Sequence, residues 1–113
     1  MNKLVENLEK VKAVIVDGNS WCRDWEAMKA SGEHCYADDK DATKWSLFGA
    51  MIKVCNVHTL GKEFDEYFAM YNLIVPMVGN LDHYNNTHKH KEVLKVIDDA
   101  IAIAKNPQKA KAA

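Results

Sequence analysis

The stretch Trp45-Ser46-Leu47-Phe48-Gly49-Ala50-Met51 decides the fold, because it places a glycine and an alanine in a segment that is otherwise almost entirely apolar. A glycine inside a helix costs about 0.5–1 kcal/mol relative to alanine. A helix that keeps Gly49 therefore gains close backbone packing in return. We expect another helix to cross this central helix at Gly49.

Apolar residues recur at helical spacing in four segments, and each segment is bounded by a residue that caps or stops a helix. The last of these segments carries its apolar stripe on Val93, Val96, Ile97, Ala100, Ile101 and Ala104. The first predicted helix covers residues 3–16 and ends before Asp17-Gly18-Asn19, and the second covers residues 42–57 with Asp41 as its N-cap. The third covers residues 63–75 and ends before Pro76. The last runs from Thr87, its N-cap, to Asn106-Pro107.

Two segments between the predicted helices lack a regular period. Residues 20–44 contain turn signals at Ser31-Gly32 and Asp38-Asp39, and residues 78–86 contain Gly79-Asn80 and Asn85-Asn86. No strand pair with a hairpin turn is recognised, so the predicted fold class is all-α: about four helices around one core, with a long ordered loop between helices one and two. Residues 1–107 form one helical domain in this interpretation, and residues 108–113 form a frayed tail.

The charge composition restricts the class of partner. The net charge is −1, and the fifteen basic residues include a single arginine, Arg23. Arginine is the residue that most often reads guanine and stacks on bases, so direct nucleic-acid binding is not expected. The longest uncharged segment, residues 67–81, is too short and too interrupted to span a bilayer, and no membrane association is predicted.

The cysteine content favours a reducing compartment. Cys22, Cys35 and Cys55 cannot all pair within one chain, and Cys55 falls on the apolar face of a predicted helix. Free thiols are more typical of a cytoplasmic protein than a disulfide framework is. We therefore expect a cytoplasmic protein.

An acidic segment carries two of the three tryptophans. Seven acidic residues lie between Asp17 and Asp41, against three basic residues. One interpretation is a solvated loop; the other is a face that meets a basic partner. Because tryptophan is enriched at interface hot spots, the second interpretation takes as its partner-binding residues Trp21, Trp25, Glu33, Asp38 and Asp39.

The densest polar cluster lies at Asp82–His90. It contains three histidines and two asparagines, and it could form a ligand site together with the central helix; the residues of that site would be Trp45, Ser46, His83, Asn85, Asn86 and His88. The other interpretation is a helix start, at which Asn85, Asn86 and Thr87 satisfy free backbone N–H groups. His88 and His90 would lie about 200° apart on a helix, so they would not share one ion, and no metal ligand set or cofactor is predicted.

An aromatic set on the third predicted helix, Phe64, Phe68 and Tyr71, has the spacing of a core face. The cysteines lack a base in reach, and the adjacent acids Asp38-Asp39 and Asp98-Asp99 have the positions of solvated residues. We therefore expect no catalytic residues, and the chain is more consistent with a binding protein than with an enzyme.

The chain resembles a family of small bacterial and phage proteins that are classed as a domain of unknown function. The resemblance rests on three blocks: Gly18-Asn19-Ser20-Trp21; Asp41-Ala42-Thr43-Lys44-Trp45-Ser46-Leu47-Phe48-Gly49-Ala50; and Tyr84-Asn85-Asn86-Thr87 followed by Glu92-Val93-Leu94 and Asp98-Asp99-Ala100-Ile101. The chain departs from the family pattern at Ser46, where cysteine is usual, at Tyr84, where tryptophan is usual, and at Asn86, where aspartate is usual. The resemblance implies a fold and a bacterial or phage origin, and it implies no activity.

Two functions from different classes follow. The first is a small non-enzymatic, phage-encoded module that docks on a host protein or on a second copy of itself through the acidic, tryptophan-bearing surface; inhibition of a bacterial defence system is one concrete form of it. The second is a small-molecule or metal-binding protein, or a hydrolase, with its site at Asp82–His90. A concave pocket at Trp45, Ser46, His83 and Asn86 would favour the second, and an exposed tryptophan patch would favour the first.

Overall fold

Five α-helices and a three-stranded antiparallel sheet form the described part of this computed structural model, which covers residues 2–56 and 63–106. A short 3₁₀ turn at Gly18–Ser20 follows the first helix. The elements are α1 (Lys3–Ile15), β1 (Ala27–Lys29), β2 (His34–Cys35), β3 (Ala42–Trp45), α2 (Leu47–Cys55), α3 (Glu63–Val78), α4 (Leu81–Thr87) and α5 (His90–Lys105).

The sheet shows that the predicted all-α class is wrong. Its strand order is β2-β1-β3, and it occupies most of the segment predicted to be a long loop. Strands of two to four residues are too short to show the alternation by which strands are recognised. The hairpin turns at Gly32, whose φ of +94° suits glycine, and Lys29 exchanges backbone hydrogen bonds with the turn: its N–H donates to the Glu33 carbonyl (2.8 Å), and its carbonyl accepts from the Gly32 N–H (3.0 Å).

The predicted second helix begins five residues too early. Residues 42–45 form β3, which pairs with β1 so that Trp45 lies opposite Ala27 and Lys44 opposite Met28. The helix α2 begins only at Leu47, because Ser46 is its N-cap and accepts a hydrogen bond from the Gly49 N–H (3.0 Å). Pairing with a neighbouring strand has thus overridden the helical spacing of Trp45.

Gly49 does accommodate a close approach, but the approaching element is not a helix. A Cβ atom at this position would lie 1.8 Å from the carbonyl oxygen of Glu26, the residue that precedes β1. The same carbonyl accepts hydrogen bonds from the backbone N–H (3.2 Å) and the hydroxyl (3.3 Å) of Ser46. The expected helix crossing is therefore replaced by an attachment of the sheet to the start of α2.

The C-terminal helices also differ from the prediction. Helix α3 continues through Pro76 to Val78 and ends at Gly79, whose φ is +84°. Proline there removes one helical hydrogen bond only, the one to the carbonyl of residue 72. The predicted loop over residues 78–86 is largely α4, which Asn80 caps by accepting from the His83 N–H (2.9 Å).

Thr87 does not cap the last helix, which is a further correction. It is the final residue of α4, and its hydroxyl donates back to the His83 carbonyl (2.7 Å). Helix α5 begins at His90 after Lys89, whose backbone N–H donates to the Glu92 carboxylate (2.9 Å). Asn85 and Asn86, which were predicted as caps of this helix, lie inside α4.

The core lies between α1, α2, α3 and α5. The predicted end of α1 and the burial of Cys55 are confirmed, and the α5 stripe is confirmed except for Ile101, which is only partly buried. The aromatic prediction for α3 is wrong for Phe68 and Tyr71, which are 47% and 36% exposed; Phe64 is partly buried and packs against the core, and Tyr67 is the buried ring. Over the described residues, none of the helices combines the length and the apolarity needed to cross a lipid bilayer. The predicted end of helix two at residue 57 and the tail at 108–113 lie outside the described residues.

Candidate protein-interaction surface

Three aromatic rings lie together beside the hairpin of β1 and β2, on what is called here the Trp25 surface: Trp25 before β1, His34 in β2 and Tyr36 directly after β2. The Trp25 and His34 rings are stacked, with centroids 4.1 Å apart and planes inclined by 11°. Trp25 is 47% exposed and Tyr36 is 69% exposed. Large aromatic side chains left this exposed on an ordered sheet are typical of interaction sites.

The backbone beneath Trp25 is held on both sides. The Glu26 carbonyl lies against α2 at Gly49, and the Glu26 carboxylate accepts the Ala37 N–H (2.6 Å). On the other side Asp24 has a φ of 73°, and its N–H donates to the Asn86 side-chain oxygen (2.7 Å). The backbone that carries Trp25 is therefore already ordered, which reduces the conformational entropy lost when a partner binds.

Two cavities open beside Trp25. The first has a volume of about 360 Å³ and is lined by Trp25, Glu26, His34, Cys35 and Tyr36. The second has a volume of about 350 Å³ and is lined by Asp24, Trp25, Glu26, Phe48, Asp82 and Asn86. Because Trp25 and Glu26 line both, the two cavities lie next to each other on one surface.

The second cavity has a negative electrostatic character. Its lining residues include three carboxylates and, among the residues that the structure describes, no lysine or arginine. Desolvation, together with the neighbouring carboxylate of Glu26, raises the pKa of Asp82. A carboxylate with a raised pKa gains from a positive charge placed beside it.

The predicted acidic residues flank the Trp25 surface in sequence. Glu33 precedes His34 in the hairpin, and Asp38 and Asp39 lie in the turn after Tyr36; Glu33 and Asp38 are exposed. Asp39 accepts the Asp41 N–H (2.8 Å), and its charge helps to raise the pKa of Cys35, after desolvation as the larger cause.

Trp21 has a different environment from Trp25. Its indole N–H donates to the Asn85 side-chain oxygen (2.7 Å), its ring packs on His90 with centroids 5.3 Å apart, and the Arg23 guanidinium lies 5.1 Å from its centre. The ring is only partly exposed. Its contacts are those of a residue that anchors the segment before β1 to α4 and α5.

Asn85 links three parts of the structure through its side-chain hydrogen bonds. It is fully buried and forms four hydrogen bonds: its oxygen accepts from Trp21 and from the Leu47 N–H (3.0 Å), and its amide donates to the Cys22 carbonyl (3.0 Å) and to Asn86 (3.3 Å). A buried amide with all of these partners satisfied joins α4, α2 and the segment before β1.

The other residues predicted for a ligand site do not converge. Ser46 is buried as the N-cap of α2, and the indole N–H of Trp45 donates to the Ala37 carbonyl (2.9 Å). His83 is exposed, and His88 stacks on Tyr84 with centroids 3.7 Å apart. Among the described cavities none is lined by Trp45, Ser46 and His83 together; Asn86 alone of this set lines one, the second cavity beside Trp25.

The thiols of Cys22 and Cys35 and the grouping of metal-ligating side chains bear on catalytic and metal chemistry. Burial raises the pKa of the Cys22 thiol to about 11, and the pKa of Cys35 is raised as well, so neither thiol is activated as a thiolate. Within residues 2–56 and 63–106, no three or more histidine, cysteine or acidic side chains are grouped as ligands of one metal ion.

Sequence reasoning missed several residues of the surface, above all Glu26, His34, Tyr36, Phe48 and Asp82. His34 lies in the unrecognised hairpin, Glu26 directly precedes the hairpin and Tyr36 directly follows it; the hairpin's sequence signal is the pair Ser31-Gly32 between two short segments. Asp82 lies in the polar cluster that was recognised, but it lines the second cavity together with Trp25, and no spacing rule predicts that these two residues share a cavity.

Comparisons of this chain with protein-family models, with curated proteins and with solved structures found no match.

Proposed function

We propose that this chain is a small non-enzymatic protein-binding module and that it contacts its partner through the Trp25 surface. The observation that carries the proposal is the exposure of Trp25 and Tyr36, at 47% and 69%, on a hairpin whose backbone is held by hydrogen bonds to neighbouring elements. Exposed aromatic anchors on a rigid support are the usual hot spots of protein interfaces.

The acidic residues of the same segment support a partner with a basic surface. Glu33, Asp38 and Asp39, which were chosen from the sequence, fall in the hairpin turn and in the turn after β2, and so they flank the Trp25 surface. Exposed charges at the rim of an interface mainly raise the rate of association and select the partner. Trp21 is not part of the proposed contact surface, because its ring is used in packing.

The cellular setting is also a proposal. Cys22, Cys35 and Cys55 are free thiols, which suits a reducing compartment, and we propose the cytoplasm of a bacterial cell. The resemblance noted in the sequence implies a phage or bacterial origin. We propose a host protein as the partner, with a component of a defence system as one form of it.

The experiment is affinity capture with a matched pair of variants. Trp25→Ala and Phe68→Ala each remove an aromatic ring that is 47% exposed, but Phe68 lies on α3, away from the hairpin. The tagged wild-type protein is used to capture partner proteins from a lysate of its native host. Capture of the partner should be lost with Trp25→Ala and retained with Phe68→Ala, while both variants keep the wild-type circular dichroism spectrum. Capture that survives Trp25→Ala and Tyr36→Ala together would contradict the proposal.

A further inference from the structure

The two cavities beside Trp25 differ in chemistry. The lining of the first is mainly apolar and aromatic, from Trp25, His34, Cys35 and Tyr36, with Glu26 as its one carboxylate. The lining of the second combines the rings of Trp25 and Phe48 with the carboxylates of Asp24, Glu26 and Asp82. An occupant that crosses Trp25 therefore meets an apolar recess on one side and a negatively charged recess with aromatic walls on the other.

Charge complementarity decides the occupant of the second cavity. A guanidinium or ammonium group can lie over an aromatic face and receive carboxylates at its edge, and such contacts strengthen when the group is partly desolvated. Arginine fits best, because its planar group stacks on an indole while its N–H groups point outward in the ring plane. The one arginine of this chain, Arg23, donates to the His88 carbonyl and covers Trp21, and no lysine of the described residues lines the second cavity, so a cation from a partner can occupy it.

We propose that the two cavities receive a segment of a partner protein in which an arginine or lysine stands next to an apolar residue. The cationic group lies between Asp24, Glu26 and Asp82, and the apolar side chain fills the recess of Trp25, His34 and Tyr36. This inference rests on the proposed function, since it names the chemistry of the partner segment at the same surface.

The test begins with a random heptapeptide library displayed on phage and selected on the immobilised full-length protein, after depletion on the Trp25→Ala variant. We expect the enriched peptides to carry arginine or lysine beside an apolar residue. One such peptide, made with a fluorescent label, is then titrated against wild-type protein and variants by fluorescence polarisation. Trp25→Ala should weaken binding at least about 30-fold, as for a hot-spot residue.

A double-mutant cycle isolates the charge contact. Replacing the arginine of the peptide by citrulline, which keeps the shape and removes the charge, should weaken binding about tenfold to wild-type protein and much less to Asp82→Asn. Asp24→Asn is the second variant of the cycle and should reduce the effect of citrulline in the same way as Asp82→Asn. Asparagine tolerates the positive φ at position 24, so this variant should keep its backbone conformation. Glu9→Gln, a neutralisation at an exposed position of α1, is the control for net charge and should leave both affinities unchanged.

The outcomes separate the two proposals. Two outcomes would overturn the cation site and leave the proposed binding function in place. One is enrichment of peptides that need Trp25 but contain no basic residue; the other is an equal loss of affinity on citrulline substitution with wild-type and Asp82→Asn protein. Peptides that bind equally well to Trp25→Ala would overturn both, as would a selection that enriches nothing. A concentration-dependent dimer that Trp25→Ala abolishes would show a second copy of the chain as occupant and would overturn the inference.

Discussion

Substitution of Gly49 by alanine tests the contact that attaches the sheet to α2. On an isolated helix this change would stabilise by about 0.5–1 kcal/mol. Here the new Cβ atom would lie 1.8 Å from the Glu26 carbonyl oxygen and 2.9 Å from its carbon, and both of these atoms are backbone. Side-chain rotation cannot relieve that clash, so the two backbones must separate by more than about 1 Å.

The cost follows from what the separation breaks. Two hydrogen bonds from Ser46 to the Glu26 carbonyl would be lengthened or lost, at about 0.5–1.5 kcal/mol each, in addition to the overpacking itself. After the gain in helix propensity is subtracted, we expect Gly49→Ala to lower the free energy of unfolding by about 1–5 kcal/mol. The melting temperature should fall by about 4–20 °C.

The measurement is thermal and urea unfolding, followed by circular dichroism, with Gly18→Ala as the matched control. A Cβ at Gly18 would meet only the His90 ring, at an ordinary distance of 3.8 Å, so that variant should stay within about 0.5 kcal/mol of wild type. A Gly49→Ala protein as stable as wild type, or more stable, would refute the proposed attachment. Because Glu26 follows Trp25, the same variant should also bind a peptide selected on the Trp25 surface more weakly.

Four further predictions concern the region around α4. Asn85→Ala should lower the free energy of unfolding by at least about 3 kcal/mol in urea titrations, since several buried partners lose their hydrogen bonds. Trp21→Phe removes the indole N–H that donates to Asn85, so it should lower the free energy of unfolding by about 1–2 kcal/mol and leave partner capture intact. A loss of capture without a loss of stability would contradict the structural role of Trp21. Thr87→Ala should change stability by less than about 0.5 kcal/mol, because the hydroxyl bonds to the His83 carbonyl rather than capping α5; a change above about 1 kcal/mol in the same titration would contradict this. The Asp82→Asn variant should melt no lower than wild type at pH 7. The pKa of the Asp82 carboxyl is raised in the folded state, so its ionisation lowers the stability of the wild type as pH rises above the unfolded-state pKa, and the difference between the two proteins should vanish near about pH 3. A lower melting temperature of the variant at pH 7 would count against the raised pKa.

The helices of the core were predictable because each depends on its own sequence. In α1 and α5, apolar residues at helical spacing coincide with clear ends, and the structure keeps both elements. The predicted start of α2 was wrong because Trp45 satisfies helical spacing and strand pairing equally well, and only the partner strand decides between them. Ser46, four residues after Ala42, carried the correct signal as an N-cap.

The candidate site was predicted only in part, and the reason is physical. Trp25 was recognised from residue type, because a tryptophan in an acidic segment is informative by itself. Its neighbours in the second cavity, Phe48 and Asp82, come from α2 and α4. The segment that carries Trp25 is held beside these helices by the close approach of the Glu26 backbone to Gly49 and by the hydrogen bond from Asp24 to Asn86. These are contacts between residues more than twenty positions apart in the chain, for which the sequence contains no local pattern. Asn85 and Asn86 illustrate the same limit: their residue types indicated hydrogen bonding to backbone groups, and the structure confirms that bonding, but at the segment before β1 and at α2 instead of at the last helix.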